Sequence, residues 1–130
     1  MEIESLFLRQ IIDSRTRPTV EAEINDSYGK APSGASTGEH EVSCHVPEHL
    51  EDIEKLIQDK LVGKNISQEK FDEKLHELDG TGAFSRLGAA SIASSFAFKQ
   101  ADGFKHSNKF PLPLSNVIGG GEHGGNTAIQ

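Results

Sequence analysis

Two stretches of this sequence concentrate the side chains and backbone freedom from which a binding site can be made. The first, SGASTGEH (Ser33 to His40), follows Pro32 and joins Gly34 and Gly38 to Ser33, Ser36, Thr37 and a terminal histidine. Glycine permits backbone angles closed to other residues, and the hydroxyl oxygens can meet a ligand or metal. A solvated turn would draw on the same residue types. The second, GGGEHGG (Gly119 to Gly125), sets five glycines around Glu122 and His123. Gly119, Gly121 and Gly124 match the G-x-G-x-x-G spacing of a dinucleotide-binding loop. That fingerprint also needs a following helix and an acidic residue about twenty positions on, and the sequence stops first. There is no G-x-x-x-x-G-K-S/T string, so a P-loop is excluded.

Other reactive side chains are less well arranged. His40, Cys44, His45 and His49 have ligand-type spacing, but structural zinc usually takes paired ligands from two separated knuckles. Here no second knuckle exists, and surface histidines at a helix start account for the cluster better than zinc. Asp13, Ser14 and Arg15 interrupt an apolar strand end and read as a turn with a buried or interface ion pair. No Ser-His-Asp or Cys-His set stands out by spacing, so the residues alone assign no catalytic group in this chain.

The elements that position these stretches follow from composition and periodicity. The 130 residues suffice for one domain with a modest core, 35% of them hydrophobic and 25% charged, with no long apolar run to span a membrane. The opening MEIESLFLRQIIDS has acidic residues where a secretory signal needs basic ones. A single cysteine, Cys44, forms no internal disulfide and suits a reducing cytoplasm. A net charge of −7 argues against nucleic acid as a partner, though not against an anionic substrate at a locally positive or metal-filled site.

Ile3 to Ile12 reads as an apolar strand. Pro18 to Ile24 alternates, with Val20, Ala22 and Ile24 on one face and Thr19, Glu21 and Glu23 on the other, as a half-buried strand does. Asn25 to Gly29 reads as a turn, and a short third strand near Lys30 completes an antiparallel meander. After Pro47 the period changes to about 3.6. Leu50, Ile53, Leu56, Ile57 and Leu61 form one helical stripe ending at Gly63; Ser67 caps a second helix carrying Phe71, Leu75 and Leu78 that ends at Gly80. The run Leu87 to Ala101 is small or apolar around most of its circumference and belongs at the domain centre. Strands first and helices afterwards give an α+β fold, a three-stranded antiparallel meander followed by a helical bundle. The tail from Pro111 reads as the front of something longer.

Four stretches, in this order, resemble the enolase family: IIDSRTRPTVEAEI (Ile11 to Ile24), PSGASTGEHE (Pro32 to Glu41), LDGTGAFSRLGAAS (Leu78 to Ser91) and PLPLSNVIGGGEHGGNTAIQ (Pro111 to Gln130). The resemblance implies an enolase N-terminal domain over residues 1–130, with 111–130 leading toward a C-terminal β/α barrel that holds the catalytic centre. It implies reversible dehydration of 2-phosphoglycerate to phosphoenolpyruvate, with magnesium, in a cytoplasmic homo-oligomer, a dimer. By residue, it implies that Ser33 to His40 is a lid whose Ser36 supplies oxygen to the second magnesium. It also implies that His123 and Gln130 approach the substrate and that Arg15 lies near the subunit interface.

The sequence departs from the family pattern in places. DSRTRPT has Thr16 and Arg17 where the pattern is Gly-Asn, the segment between the lid and the first helix is short, and LGAASIASSF (Leu87 to Phe96) replaces L-G-A-N-A-I-L-G-V-S. Gly119 stands where the pattern commonly has asparagine. These departures fit a divergent enolase, for example an archaeal one, or a stand-alone enolase-like binding or interaction module without catalytic activity.

Overall fold

A computed structural model describes residues 1–32, 34, 38–39, 41–104, 109–110, 112–115 and 117. Strands β1 (Leu6–Ile12), β2 (Pro18–Ile24) and β3 (Ser27–Lys30) form one antiparallel sheet in the order β1-β2-β3. The register pairs Leu6 with Ile24 and Leu8 with Ala22, and these residues face the core with Val20. The opposite face carries Phe7, Arg9, Glu21, Glu23, Tyr28 and Lys30, where Arg9 pairs with Glu23 and Glu21, and Lys30 lies 3.3 Å from Glu21. Helices α1 (Leu50–Leu61), α2 (Gln68–Asp79) and α3 (Ala89–Ala101) follow, so the α+β meander and helices are as the sequence pattern requires.

Two boundaries in the sheet differ from the sequence expectation, for local reasons. β1 begins at Leu6 and not at Ile3, because the amides of Glu4 and Ser5 donate to the Asn25 side chain at 2.8 and 3.2 Å instead of to a strand. Ile3 itself is tied to Lys64 and Gly63 by backbone bonds of 3.0 and 2.8 Å. The turn after β2 is also shorter than Asn25 to Gly29. Asn25 and Asp26 both take positive φ, 47° and 61°, the two-residue turn whose twist suits a hairpin, so pairing resumes at Ser27.

α1 presents Ile53, Ile57 and Leu61 to the core and closes the free edge of β1 with its polar side chains. Glu54 accepts from the Leu8 amide at 2.6 Å, and the Gln58 amide donates to the Leu6 carbonyl at 2.6 Å. α2 has the cap and stop read from the sequence: the Ser67 hydroxyl accepts from the Lys70 amide, and Gly80 ends the helix at φ 71°. α3 is the central element, packed against β2, β3 and α2. Its small residues permit a very close approach, since a Cβ on Gly29 of β3 would stand 2.2 Å from the Ala93 carbonyl oxygen. Phe98 of α3 stacks on Phe71 of α2 with ring centroids 4.4 Å apart. Among the described residues no helix is long and apolar enough to cross a membrane.

Candidate functional site

Gly34, Gly38 and Glu39 are the described residues of the Ser33–His40 stretch, so the stretch is approached through its two roots. On the incoming side, Gly29 seats β3 against α3. The next turn of chain is fixed by Ala31, whose amide donates to the Val20 carbonyl at 3.0 Å and whose carbonyl accepts from the buried Thr19 hydroxyl at 2.6 Å. Arg17 reaches across from the first hairpin to donate to the Gly34 carbonyl at 3.3 Å. On the outgoing side, the Ser43 amide donates to the Ala83 carbonyl at 2.9 Å, and the Ala89 amide, at the start of α3, donates to the His45 carbonyl at 2.9 Å. A Cβ on Gly88 would stand 2.4 Å from that same His45 oxygen, so glycine is required for the crossing. Both roots are therefore held by the sheet and by α3, and a cleft lined by Pro32, Gly34, Glu41, Val42, Cys44 and Ile92 lies between them.

The turn at Asp13 is the second organised polar feature. Asp13 Oδ1 accepts from the Arg15 and Arg17 amides at 2.8 and 2.9 Å, and its other oxygen meets the Arg17 guanidinium at 3.2 Å. The sequence reading expected an ion pair here and placed Arg15 in the turn. The ion pair is made by Arg17, while the Arg15 side chain is exposed and makes no hydrogen bond or ion pair among the described residues. Thr16 holds φ 60°, a left-handed conformation that costs a β-branched residue energy, at the position where the enolase pattern has glycine.

Of the residues singled out in the sequence, Ser36, His40, His123 and Gln130 lie outside the described residues. Cys44, His45 and His49 are described but do not converge. The Cys44 thiol donates to the Val42 carbonyl at 3.4 Å, the His45 ring nitrogen Nδ1 meets the Ser43 hydroxyl at 2.6 Å, and His49 caps α1 without a side-chain bond. Among the described residues no group of three or more His, Cys, Asp or Glu side chains could hold a metal ion. Burial pushes the Cys44 thiol up and Glu41 adds to the effect, so this is no ready thiolate.

One organising residue was missed by the sequence reading. Asp79, 3% exposed at the end of α2, takes four hydrogen bonds: from the Thr81 hydroxyl, the Thr81 amide at 3.1 Å, the Arg86 amide at 2.9 Å and the Leu87 amide at 2.6 Å. Burial alone would push its carboxyl up, but the Thr81 hydroxyl and the three amides outweigh it and hold the group below the usual carboxylate range. Asp79 thereby fixes the corner from which α3 and the outgoing root are aimed. The signal was the Asp-Gly-Thr string, in which an aspartate bonds the backbone two residues on.

Comparison with known proteins decides the family. Residues 3–112 match the family model described as "Enolase, N-terminal domain". The chain belongs to the enolase family. Similar curated proteins are the enolases of Archaeoglobus fulgidus (40% identical; 100% of this chain, 37% of the relative), Natronomonas pharaonis (40%; 93% and 36%) and Methanocaldococcus jannaschii (37%; 96% and 37%). The chain thus spans a little over a third of the length of the enolases it matches, and the hairpin turn, both roots and the Asp79 corner all fall inside the matched domain.

Proposed function

We propose that this chain is the N-terminal domain of a working enolase that reversibly removes water from 2-phosphoglycerate to give phosphoenolpyruvate. The observation that carries the reading is the domain match across residues 3–112 in a chain that aligns over its whole length with an enolase. On this reading residues 1–130 are the domain, and 111–130 lead toward a C-terminal β/α barrel that holds the base, the acid and most of the metal ligands. The chain alone is then inactive, because catalysis needs those groups aligned on one substrate.

The donor chemistry of the 33–40 stretch fits magnesium. Magnesium takes hard oxygen ligands and keeps several from water and substrate, and Ser33, Ser36 and Thr37 offer hydroxyl oxygens with no sulfur or imidazole between them. Ser36 is the residue that would hold the ion. When bound, magnesium supplies positive charge against the negative charge that builds as the weakly acidic proton beside the substrate carboxylate leaves. The chain's own part would be positional: the roots at Ala31 and Ser43 to His45 anchor the stretch that carries Ser36, while His123, in the second glycine-rich stretch, and Gln130 would approach the substrate. Arg15, exposed and without an ion-pair partner among the described residues, is available to a second subunit, which supports a homo-oligomer. A single cysteine whose thiol is partly buried supports a cytoplasmic setting.

The test is to express the complete reading frame containing these residues beside the 130-residue chain and to follow phosphoenolpyruvate formation by ultraviolet absorbance with magnesium present. Turnover by the complete protein and none by the 130-residue chain is expected. No turnover by the complete protein would overturn the reading in favour of a binding module.

A further inference from the structure

The serine-rich departure in α3 has a consequence that the enolase reading does not use. Ser91, Ser95 and Phe96 lie on α3 within the string that replaces the family pattern, and together with Ile92 they form one wall of a cleft between α2 and α3. The cleft is open to solvent and offers about 230 Å3, and its far wall is Leu75 with Phe84 and Val42. A cavity of about 150 Å3 is known to hold benzene, so the space suffices for a short apolar chain. Its one charged lining residue is Asp72 of α2.

Asp72 is half-buried, and among the described residues no cation lies within ion-pair distance of it. Among the described residues its carboxylate oxygens accept only from the Gln68 amide, at 2.9 and 3.0 Å, and that same amide group contacts the Ser95 hydroxyl at 3.1 Å. The remaining Gln68 oxygen is buried and finds no partner among the described residues. A half-buried carboxylate lacking a counter-ion is costly, and a positively charged group with several N–H donors in the cleft would relieve it. The rest of the cleft asks for an apolar body.

We propose that this cleft binds a primary ammonium carried on a short, unbranched apolar stem, with Asp72 as its counter-ion and Ile92, Leu75, Phe84 and Phe96 enclosing the stem. The chemistry is that of a free alkylamine or of a lysine side chain offered by another protein surface, and the probes separate the two.

The test is a titration of the 130-residue chain with pentylammonium, pentanol and doubly capped lysine, read by backbone amide shifts. A ligand of so few atoms binds in the millimolar range, and loss of the charge-assisted bond weakens binding by about five- to tenfold. Saturable shifts at Leu75, Ile92 and Ser95 are expected with pentylammonium, with pentanol about fivefold weaker. Asp72→Asn keeps the bond from Gln68 and should weaken pentylammonium to the level of pentanol. Equal binding of capped lysine would identify a partner's side chain as the source; binding of pentylammonium without capped lysine would identify a free amine. Absence of saturation with either ammonium, or equal affinity for pentylammonium and pentanol in the unaltered chain, would overturn the proposal, whatever the behaviour of the variant.

Discussion

Two aspartate-centred corners of this domain use the same chemistry in opposite surroundings. Asp13 and Asp79 each gather backbone amides from the residues that follow, and each organises a turn leading into a core element. Asp79 sits beneath Leu87 with all its bonds inside the domain. Asp13 sits at the end of the sheet, its ionic partner Arg17 is 45% exposed on its side chain, and the adjoining Thr16 is in a left-handed conformation. The two corners therefore differ in how much of their bonding lies inside the fold. A buried carboxylate bonded only to neutral groups secures the fold from inside, whereas Asp13, its side chain 8% exposed, is paired with a half-exposed arginine at the sheet end and leaves the neighbouring Arg15 at the surface.

The comparison is tested most severely at Asp79. Asp79→Ala should cost about 4 kcal/mol in urea denaturation, because the amides of Arg86 and Leu87 lose a charged acceptor in a buried place. Since its folded-state carboxyl lies below the ordinary value, its contribution is in full effect above the unfolded value of about 4 and is lost as pH falls through the lower folded value. Unfolding free energy should therefore decline in acid, and Asp79→Asn should flatten that decline. An unchanged acid limb in the variant would place the stabilisation elsewhere.

Asp13→Ala should cost less, about 1 kcal/mol, because water reaches the amides it abandons and the Arg17 pair is partly solvated. A loss as large as that at Asp79 would erase the distinction between the corners. Thr16→Gly should do the reverse and raise stability by about 0.5 kcal/mol. It relieves a left-handed β-branched residue but gives up the 2.6 Å bond from the Thr16 hydroxyl to the Arg15 carbonyl and adds freedom to the unfolded chain. A drop in the urea midpoint would show that the threonine is held there without strain.

The same contrast explains how far the sequence could be read. Helices announced themselves, because Ser67 and Gly80 are a clear start and stop and the stripe from Ile53 to Leu61 has only one buried solution. The alternation of Val20, Ala22 and Ile24 fixed the buried face of β2 just as directly. Bonds between side chains and distant backbone were not legible. Asn25 shortened both β1 and its turn, and Asp79 was passed over, because nothing local says that Leu87 will fold over it. Arg17, and not Arg15, made the ion pair because the hairpin brings position 17 back beside Asp13. Of the candidate site, residue types alone revealed two glycine-rich stretches with oxygens. The roles proposed for Ser36, His123 and Gln130 came from resemblance alone, since nothing in their types or spacing encodes them.

On the proposal that Ser36 holds magnesium, this domain contributes a positioned oxygen to catalysis and not merely a turn. The most direct measurement is the steady-state rate against magnesium concentration for Ser36→Ala in the complete protein, beside its urea midpoint. Removing a positioned electrostatic group costs about 100- to 1000-fold in rate. The account predicts the lower end of that range, because water can replace the oxygen, together with a demand for more magnesium and a stability change under about 0.5 kcal/mol. An unchanged rate and an unchanged magnesium dependence would contradict it.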